Sequence, residues 1–183
     1  VTPLAGYVLA GGASRRMGRD KALLEKDGEL LLVRIARALG EVCETVRVLA
    51  PAGRYEALGY EVLPDLRPGQ GPLGGIETAL SNCASEWALI VACDVPNVDG
   101  EWLRTLAGAE EDRYAVIASG DPPNPLVAVW RRSALGAVSR AIDEGKLRVR
   151  DLLEELPVRL LIPPRAEILA NWNEPKDVSA GGD

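Results

Sequence analysis

Short apolar runs alternate along the chain with stretches whose apolar residues recur at helical spacing. Gly6 to Ala10 (GYVLA) predicts a first strand, short and apolar and stopped by Gly11-Gly12. Leu31, Ile35, Ala38 and Leu39 line one helical face with Arg34 and Arg37 on the other, which predicts a helix over Leu30 to Leu39. Thr45 to Leu49 and Gly59 to Leu63 read as two further strands. Ile76 to Asn82 continues a helix that Pro72 is suited to start, because proline fits a first helical turn. The unbroken apolar run Trp87 to Cys93 predicts a buried strand. Glu101 to Ala107 reads as a helix, Tyr114 to Ala118 and Leu126 to Trp130 as strands, and Leu135 to Ile142 as a helix; beyond Pro157 the pattern weakens. Strands and helices in alternation predict a parallel sheet with helices on both faces. In such a sheet ligands sit beyond the carboxyl ends of the strands, so the chemistry is expected just after the apolar runs.

Composition narrows this reading. The 183 residues show no internal repeat, linker or compositional break, so residues 1–183 are expected to form a single domain. The longest strongly apolar run is seven residues, far short of the roughly 20 that a membrane helix needs. No basic-then-apolar segment opens the chain, and Cys43, Cys83 and Cys93 are odd in number and without a C-x-x-C pair. The expectation is buried thiols in a reducing cytoplasm. A charge of −6, from 21 Lys+Arg against 27 Asp+Glu, argues against a nucleic-acid partner but leaves room for an anion held by a local cluster of cations. Histidine is absent, which excludes Ser-His-Asp and Cys-His catalysis and histidine-containing zinc sites. Phenylalanine is absent too, so Leu, Val, Ala and Ile must fill the core.

Three segments carry candidate chemistry. In Leu9 to Lys21, two adjacent glycines follow a strand, and Arg15, Arg16, Arg19 and Lys21 place four cations within seven residues. Glycines there let backbone N–H groups approach a ligand and form a nest for phosphate oxygens. The alternative is a surface turn with an accidental basic run; a Walker A loop is not matched. Gly69-Gln70-Gly71-Pro72-Leu73-Gly74-Gly75 contains G-x-G-x-x-G, with Asp94 20 residues beyond Gly74. However, Pro64 and Pro68 interrupt the chain upstream, and Pro72 removes an N–H that a pyrophosphate would use. A loop lying flat against a planar ligand is preferred to a dinucleotide fold, with an empty Gly/Pro turn as the alternative. In Val91-Ala92-Cys93-Asp94-Val95-Pro96, a carboxylate directly follows the apolar strand, where magnesium and substrate phosphates can meet. An aspartate capping the next turn is the competing reading. Trp87, Trp102 and Trp130 are read as core, and Lys146, Arg148 and Arg150 as a solvated cluster.

Taken together, these segments resemble the molybdenum cofactor guanylyltransferase family of nucleotidyltransferases. Leu9 through Lys21 is similar to its L-A-G-G-x-S-x-R-M-G-x-D-K signature, Gly71 to Gly75 to its G-P-L-x-G element, and Cys93 to Pro96 to its C-D-x-P element. Asn124-Pro125-Leu126 resembles a stretch in which the family often has histidine, and Asn171-Trp172-Asn173-Glu174-Pro175 resembles its N-x-N-T-P. Leu49-Ala50-Pro51 departs from it, standing where the family often has an asparagine that contacts the base.

The resemblance implies an α/β, Rossmann-like, mostly parallel sheet of the nucleotide-diphospho-sugar transferase kind. It implies that Leu9, Ala10, Gly11, Gly12, Arg16 and Lys21 hold the phosphates and guanine of GTP. Asp65 would contact the nucleoside, and Gly71, Pro72, Leu73 and Gly74 would line the base pocket. Asp94 would bind Mg2+, and Asn171 and Asn173 would face molybdopterin. The implied reaction is transfer of GMP from GTP to molybdenum-bearing molybdopterin with release of pyrophosphate, in transient contact with proteins that deliver or accept the cofactor. A related enzyme using CTP or a sugar-1-phosphate, and a non-catalytic carrier of nucleotide or cofactor, are the competing expectations.

Overall fold

The structure, a computed structural model, describes residues 4–11, 20–109, 113–120 and 122–172. In chain order its elements are β1 (Leu4–Leu9), β2 (Glu25–Lys26), β3 (Glu29–Leu30), α1 (Leu31–Gly40), β4 (Thr45–Leu49) and β5 (Glu61–Leu63). They continue with α2 (Gly71–Ser81), β6 (Trp87–Ala92), α3 (Gly100–Ala107), β7 (Ala115–Ala118) and β8 (Asn124–Arg131). The last are α4 (Leu135–Asp143), α5 (Val149–Glu155) and β9 (Val158–Leu161).

Seven strands form one sheet in the order β5-β4-β1-β6-β8-β7-β9. Strand β1 pairs in parallel with β4 on one side and β6 on the other, with Leu9 opposite both Leu49 and Ala92. The chain therefore winds outward to β5, returns past β1 and continues on the far side. The crevice at that reversal is where open sheets of this kind take ligands. Strand β8 runs antiparallel to both β6 and β7, so the sheet is mostly parallel, as the family resemblance implies. The alternating residues of β8 carry no mark of direction, so the alternation of strands and helices does not by itself reveal this one reversal.

Side chains alternate between two cores. On one face Val8, Val48, Leu89, Val91, Val116 and Val129 pack under α1 and α3, through Leu32, Ile35, Leu39, Trp102, Leu103 and Leu106. On the other, Ala5, Tyr7, Ile90, Ile117, Ala128 and Trp130 pack under α2, α4 and α5, through Ile76, Leu80, Val138 and Leu152. Each fully buried Leu or Ile contributes about 2 kcal/mol, so this two-sided burial is the main favourable term in the fold. The three cysteines are free and buried, and Trp87, Trp102 and Trp130 are core residues, as their apolar settings suggest. Among the described residues no helix is long and apolar enough to cross a membrane.

The differences from the sequence reading have local causes. Asp27-Gly28, both at positive φ (54° and 76°), closes the small β2–β3 ribbon, a two-residue turn of the kind Asp-Gly favours. The strand expected from Gly59 begins at Glu61, because Gly59 at φ 85° terminates a 3₁₀ turn over Glu56–Leu58. Short α5 and β9 occupy the region where the pattern had faded.

One ion pair joins the loop before α2 to the helices. The Arg67 guanidinium binds the buried Glu77 carboxylate through two nitrogens, with Nε to Oε2 at 2.8 Å, and Ser139 Oγ donates to Glu77 Oε1 at 2.7 Å. These donors, Arg67 first, hold the Glu77 carboxyl below its usual range in spite of burial. A depressed carboxylate contributes stability above the unfolded value near pH 4 and loses it as pH falls through the folded value. Because about a third of Arg67 is exposed to screening solvent, Glu77→Gln is expected to cost about 1–2 kcal/mol at pH 7. Urea unfolding should show that gap at pH 7 and its narrowing as pH falls through the folded value, which lies below the unfolded one.

Candidate active site

The carboxyl ends of β1 and β6 stop side by side, and the residues that follow them bound a cavity of about 440 Å³. Leu9, Ala10 and Gly11 form one wall, and Ala92, Cys93 and Asp94 a second. Asp65, Gly69, Gly71 and Pro72 form a third, with Leu126 at the edge. The turn Asp20-Lys21-Ala22 closes over it.

Lys21 and Asp94 meet in this cavity, Nζ to Oδ2 at 3.7 Å, with about a quarter of each side chain exposed. Burial raises the Asp94 carboxyl above its usual value and the Lys21 ammonium partly offsets that. Lys21 opens a 3₁₀ turn that Asp20 caps, its Oδ1 accepting from Ala22 N at 3.1 Å. The hydroxyl of Tyr55, a fully buried ring, donates to the Asp20 carboxylate at 2.7 Å. Arg54 Nη2 stands 3.5 Å from Asp20 Oδ2. Burial and the carboxylate beside it both push the Tyr55 hydroxyl up, so it stays protonated as a donor. No local pattern in the sequence joins Tyr55 to a loop 35 residues earlier.

Placement refines the first signature. Ala10 N–H is committed to Leu49 O at 3.0 Å, so it is not available to a phosphate, whereas Gly11 N–H has no partner among the described residues. Gly12, Arg16 and the rest of the basic run lie outside the described residues, as does Asn173.

The glycine-rich segment departs further from its expected form. Residues 71–75 are not a flat loop but the first turn of α2, with Pro72 in the opening turn. Only Gly71 and Pro72 line the cavity; Leu73 is fully buried in the core, and Gly74 is buried against the preceding loop. Gly75 lets the helix sit close to β1, because a Cβ there would overlap Leu9 Cδ1 and oblige that side chain to shift. Asp65 lies on the cavity wall with its carboxyl raised by burial, and among the described residues nothing donates to it. Burial also pushes the Cys93 thiol up to about 12, so it is neutral at pH 7 and no ready nucleophile.

A second cavity of about 870 Å³ adjoins the first across Pro72 and Leu126, which line both. It is largely apolar, with Ser119, Asn124 and Asn171 as polar points. Asn124 Nδ2 lies 3.5 Å from Asn171 Oδ1, and the next residue, Trp172, donates its N–H to Asp94 O at 2.8 Å. Buried against Leu24 and Leu31, Trp172 fastens the far end of the described chain to the strand end that carries Asp94.

Magnesium fits this geometry as a ligand of one carboxylate. Asp94 keeps about a quarter of its side chain exposed, on the cavity wall, and no cluster of three or more His, Cys, Asp or Glu among the described residues would cage a metal by itself. Magnesium commonly accepts one or two carboxylates and completes its shell with phosphate and water.

Residues 6–160 match the family model described as the MobA-like NTP transferase domain. A protein of Deinococcus radiodurans named "Probable molybdenum cofactor guanylyltransferase" is 34% identical over 180 residues, covering 97% of this chain and 93% of its own length. One of Opitutus terrae with the same name is 36% identical over 186 residues, covering 95% and 92%. Among solved structures, molybdopterin-guanine dinucleotide biosynthesis protein A from Archaeoglobus fulgidus superposes with a TM-score of 0.83 at 26% identity, over 97% of this chain and 96% of that one. The 2-C-methyl-D-erythritol 4-phosphate cytidylyltransferase of Thermus thermophilus shares the fold at a TM-score of 0.72 and 16% identity, over 96% and 95%.

Tyr55→Phe removes the hydroxyl that holds Asp20. It is expected to lower stability by about 1 kcal/mol, read as a shift in urea midpoint with unchanged slope. An unchanged midpoint would show that the hydroxyl does not hold the turn.

Proposed function

Because the chain belongs to the MobA-like NTP transferase family, we propose that it transfers GMP from GTP to molybdenum-bearing molybdopterin, forming the guanine dinucleotide cofactor and releasing pyrophosphate. The relatives' names support this reading. The structural observation that carries it is Lys21 facing Asp94 at 3.7 Å inside a cavity at the ends of β1 and β6, with a second cavity adjoining.

In this reading the triphosphate occupies the first cavity. An oxygen of the acceptor's terminal phosphate attacks the α-phosphorus, and the bond from that phosphorus to the bridging oxygen breaks, freeing pyrophosphate. The nucleophile is already an anion, so no general base is required, and a chain without histidine suffices. The obstacle is repulsion between the two phosphates. Lys21 neutralises charge gathering on the leaving group, and Gly11 N–H offers a donor to a phosphate oxygen. Arg16 adds a second cation from the same signature. Asp94, with the triphosphate oxygens and water, would hold Mg2+, which would supply further charge neutralisation. Asp65 accepts a hydrogen bond from the nucleoside, beside the backbone of Gly69 and Gly71. Molybdopterin enters the second cavity, with Asn124 and Asn171 on its side; the family signature adds Asn173.

Lys21→Ala and Asp94→Asn are each expected to lower turnover by about a hundredfold or more. Asp94→Asn also removes a charge whose burial is unfavourable, so its melting temperature at pH 7 should equal or exceed the wild type's. Wild-type turnover in either folded variant would remove that residue from the mechanism.

Incubation with molybdopterin, magnesium and either labelled GTP or labelled CTP tests the substrate. Pyrophosphate release with GTP alone is expected. Release with CTP alone would assign a cytidylyl enzyme, and none with either would favour a carrier.

A further inference from the structure

Glu77 is the one buried charged side chain among the described residues, at 5% exposure, yet it lines neither cavity of the site. Burying a carboxylate is costly, and an apolar pair of similar volume commonly serves stability as well or better. Stability alone therefore gives no reason for a charge here.

The geometry around it does. Leu66 and Arg67 lie between two residues of the cavity wall, Asp65 on one side and Gly69 on the other. Both are tied to consecutive residues of α2: Leu66 N donates to Thr78 Oγ1 at 3.0 Å, and the Arg67 fork grips Glu77. Thr78 Oγ1 in turn donates to Gly74 O at 2.8 Å. A fork on a carboxylate sets direction as well as distance, which one point charge does not. The loop lies flat along the helix because Gly74 has no Cβ; one built there would stand 3.2 Å from Arg67 O and 3.7 Å from Asp65 Oδ2. Arg67 Nη1 also reaches Asp143 Oδ1 at 2.5 Å, but that partner is two-thirds exposed.

We infer that the Arg67–Glu77 pair is a positioning clamp that fixes the 65–70 wall of the cavity and thereby sets affinity for the nucleoside end of the triphosphate without touching it. This deepens the reading of that cavity as the nucleotide site and rests on it. Arg67 and Glu77 act through Asp65 and Gly69, one or two residues away. Releasing them lets the Asp65 carboxylate leave its aim while Lys21 and Asp94, on other elements, stay in place. The expected signature is weakened nucleotide binding with the chemical step retained.

The test uses the full chain, measuring KM for Mg·GTP and kcat from pyrophosphate release with molybdopterin present as acceptor, Kd for Mg·GTP by calorimetry and the melting temperature. In the double variant Arg67→Met/Glu77→Leu the apolar pair is expected to keep the melting temperature within a few degrees of wild type. KM and Kd for GTP should rise about tenfold, with kcat changed less than about twofold. Glu77→Gln, which keeps shape and the acceptor for Ser139, should give a smaller rise in the same direction. Arg67→Lys, which keeps charge but loses the fork, should not restore wild-type affinity. Asp143→Asn should leave KM within about twofold. A folded double variant with wild-type KM and Kd would overturn the clamp and leave the pair a purely structural contact; should that variant not fold, unchanged values in Glu77→Gln would do the same. Wild-type protein that binds no nucleotide would overturn the site assignment itself, and the clamp with it, a failure visible before any variant is made.

Discussion

Everything at this site depends on two strand ends stopping together. Leu9 of β1 stands opposite Ala92 of β6, so the turns that follow must share one crevice. That brings an ammonium from one turn to within 3.7 Å of a carboxylate from the other, although 73 residues separate them in sequence. Parallel pairing between strands with both faces buried in apolar side chains fixes this register, since a slip of one residue would exchange the faces of every side chain in the strand. The chemistry is thus a by-product of the sheet's packing, and the loops have only to decorate a position the strands already define.

The absence of imidazole fits that arrangement. A reaction between two phosphates asks for neutralised charge more than for proton transfer, and charge can be neutralised by an ammonium, backbone N–H groups and a carboxylate-held cation. The surrounding residues serve to keep such groups aimed. Tyr55 and Ala22 fix Asp20 beside Lys21, Trp172 is fastened to the backbone of Asp94, and Arg67 with Glu77 fixes the loop that carries Asp65.

Much of the architecture was legible because periodicity reports burial. The strands Thr45–Leu49 and Trp87–Ala92 and the helices α1, α3 and α4 follow their apolar pattern to within a residue or two. The direction of β8 was not legible, since alternation is the same for either sense of a strand. Gly71 to Gly75 was legible in part: Pro72 marked the start of a helix, but the glycines, which suggest a loop flat against a ligand, instead let the start of α2 press against Leu9 and Arg67. Lys21 and Asp94 could be brought to this cavity from motif and position, and Asp65 from the family resemblance. Tyr55, Arg67 and Glu77 could not, because their roles arise from contacts between distant segments, and a lone Tyr, Arg or Glu carries no local signature of a partner.

The most direct measurement is a crystal structure with a non-hydrolysable GTP analogue and magnesium. The triphosphate is expected in the cavity at the ends of β1 and β6, with phosphate oxygens in contact with Lys21 Nζ and the metal on the Asp94 carboxylate. A nucleotide seated elsewhere, or one whose phosphates point away from Lys21 with Asp94 carrying no metal, would contradict it.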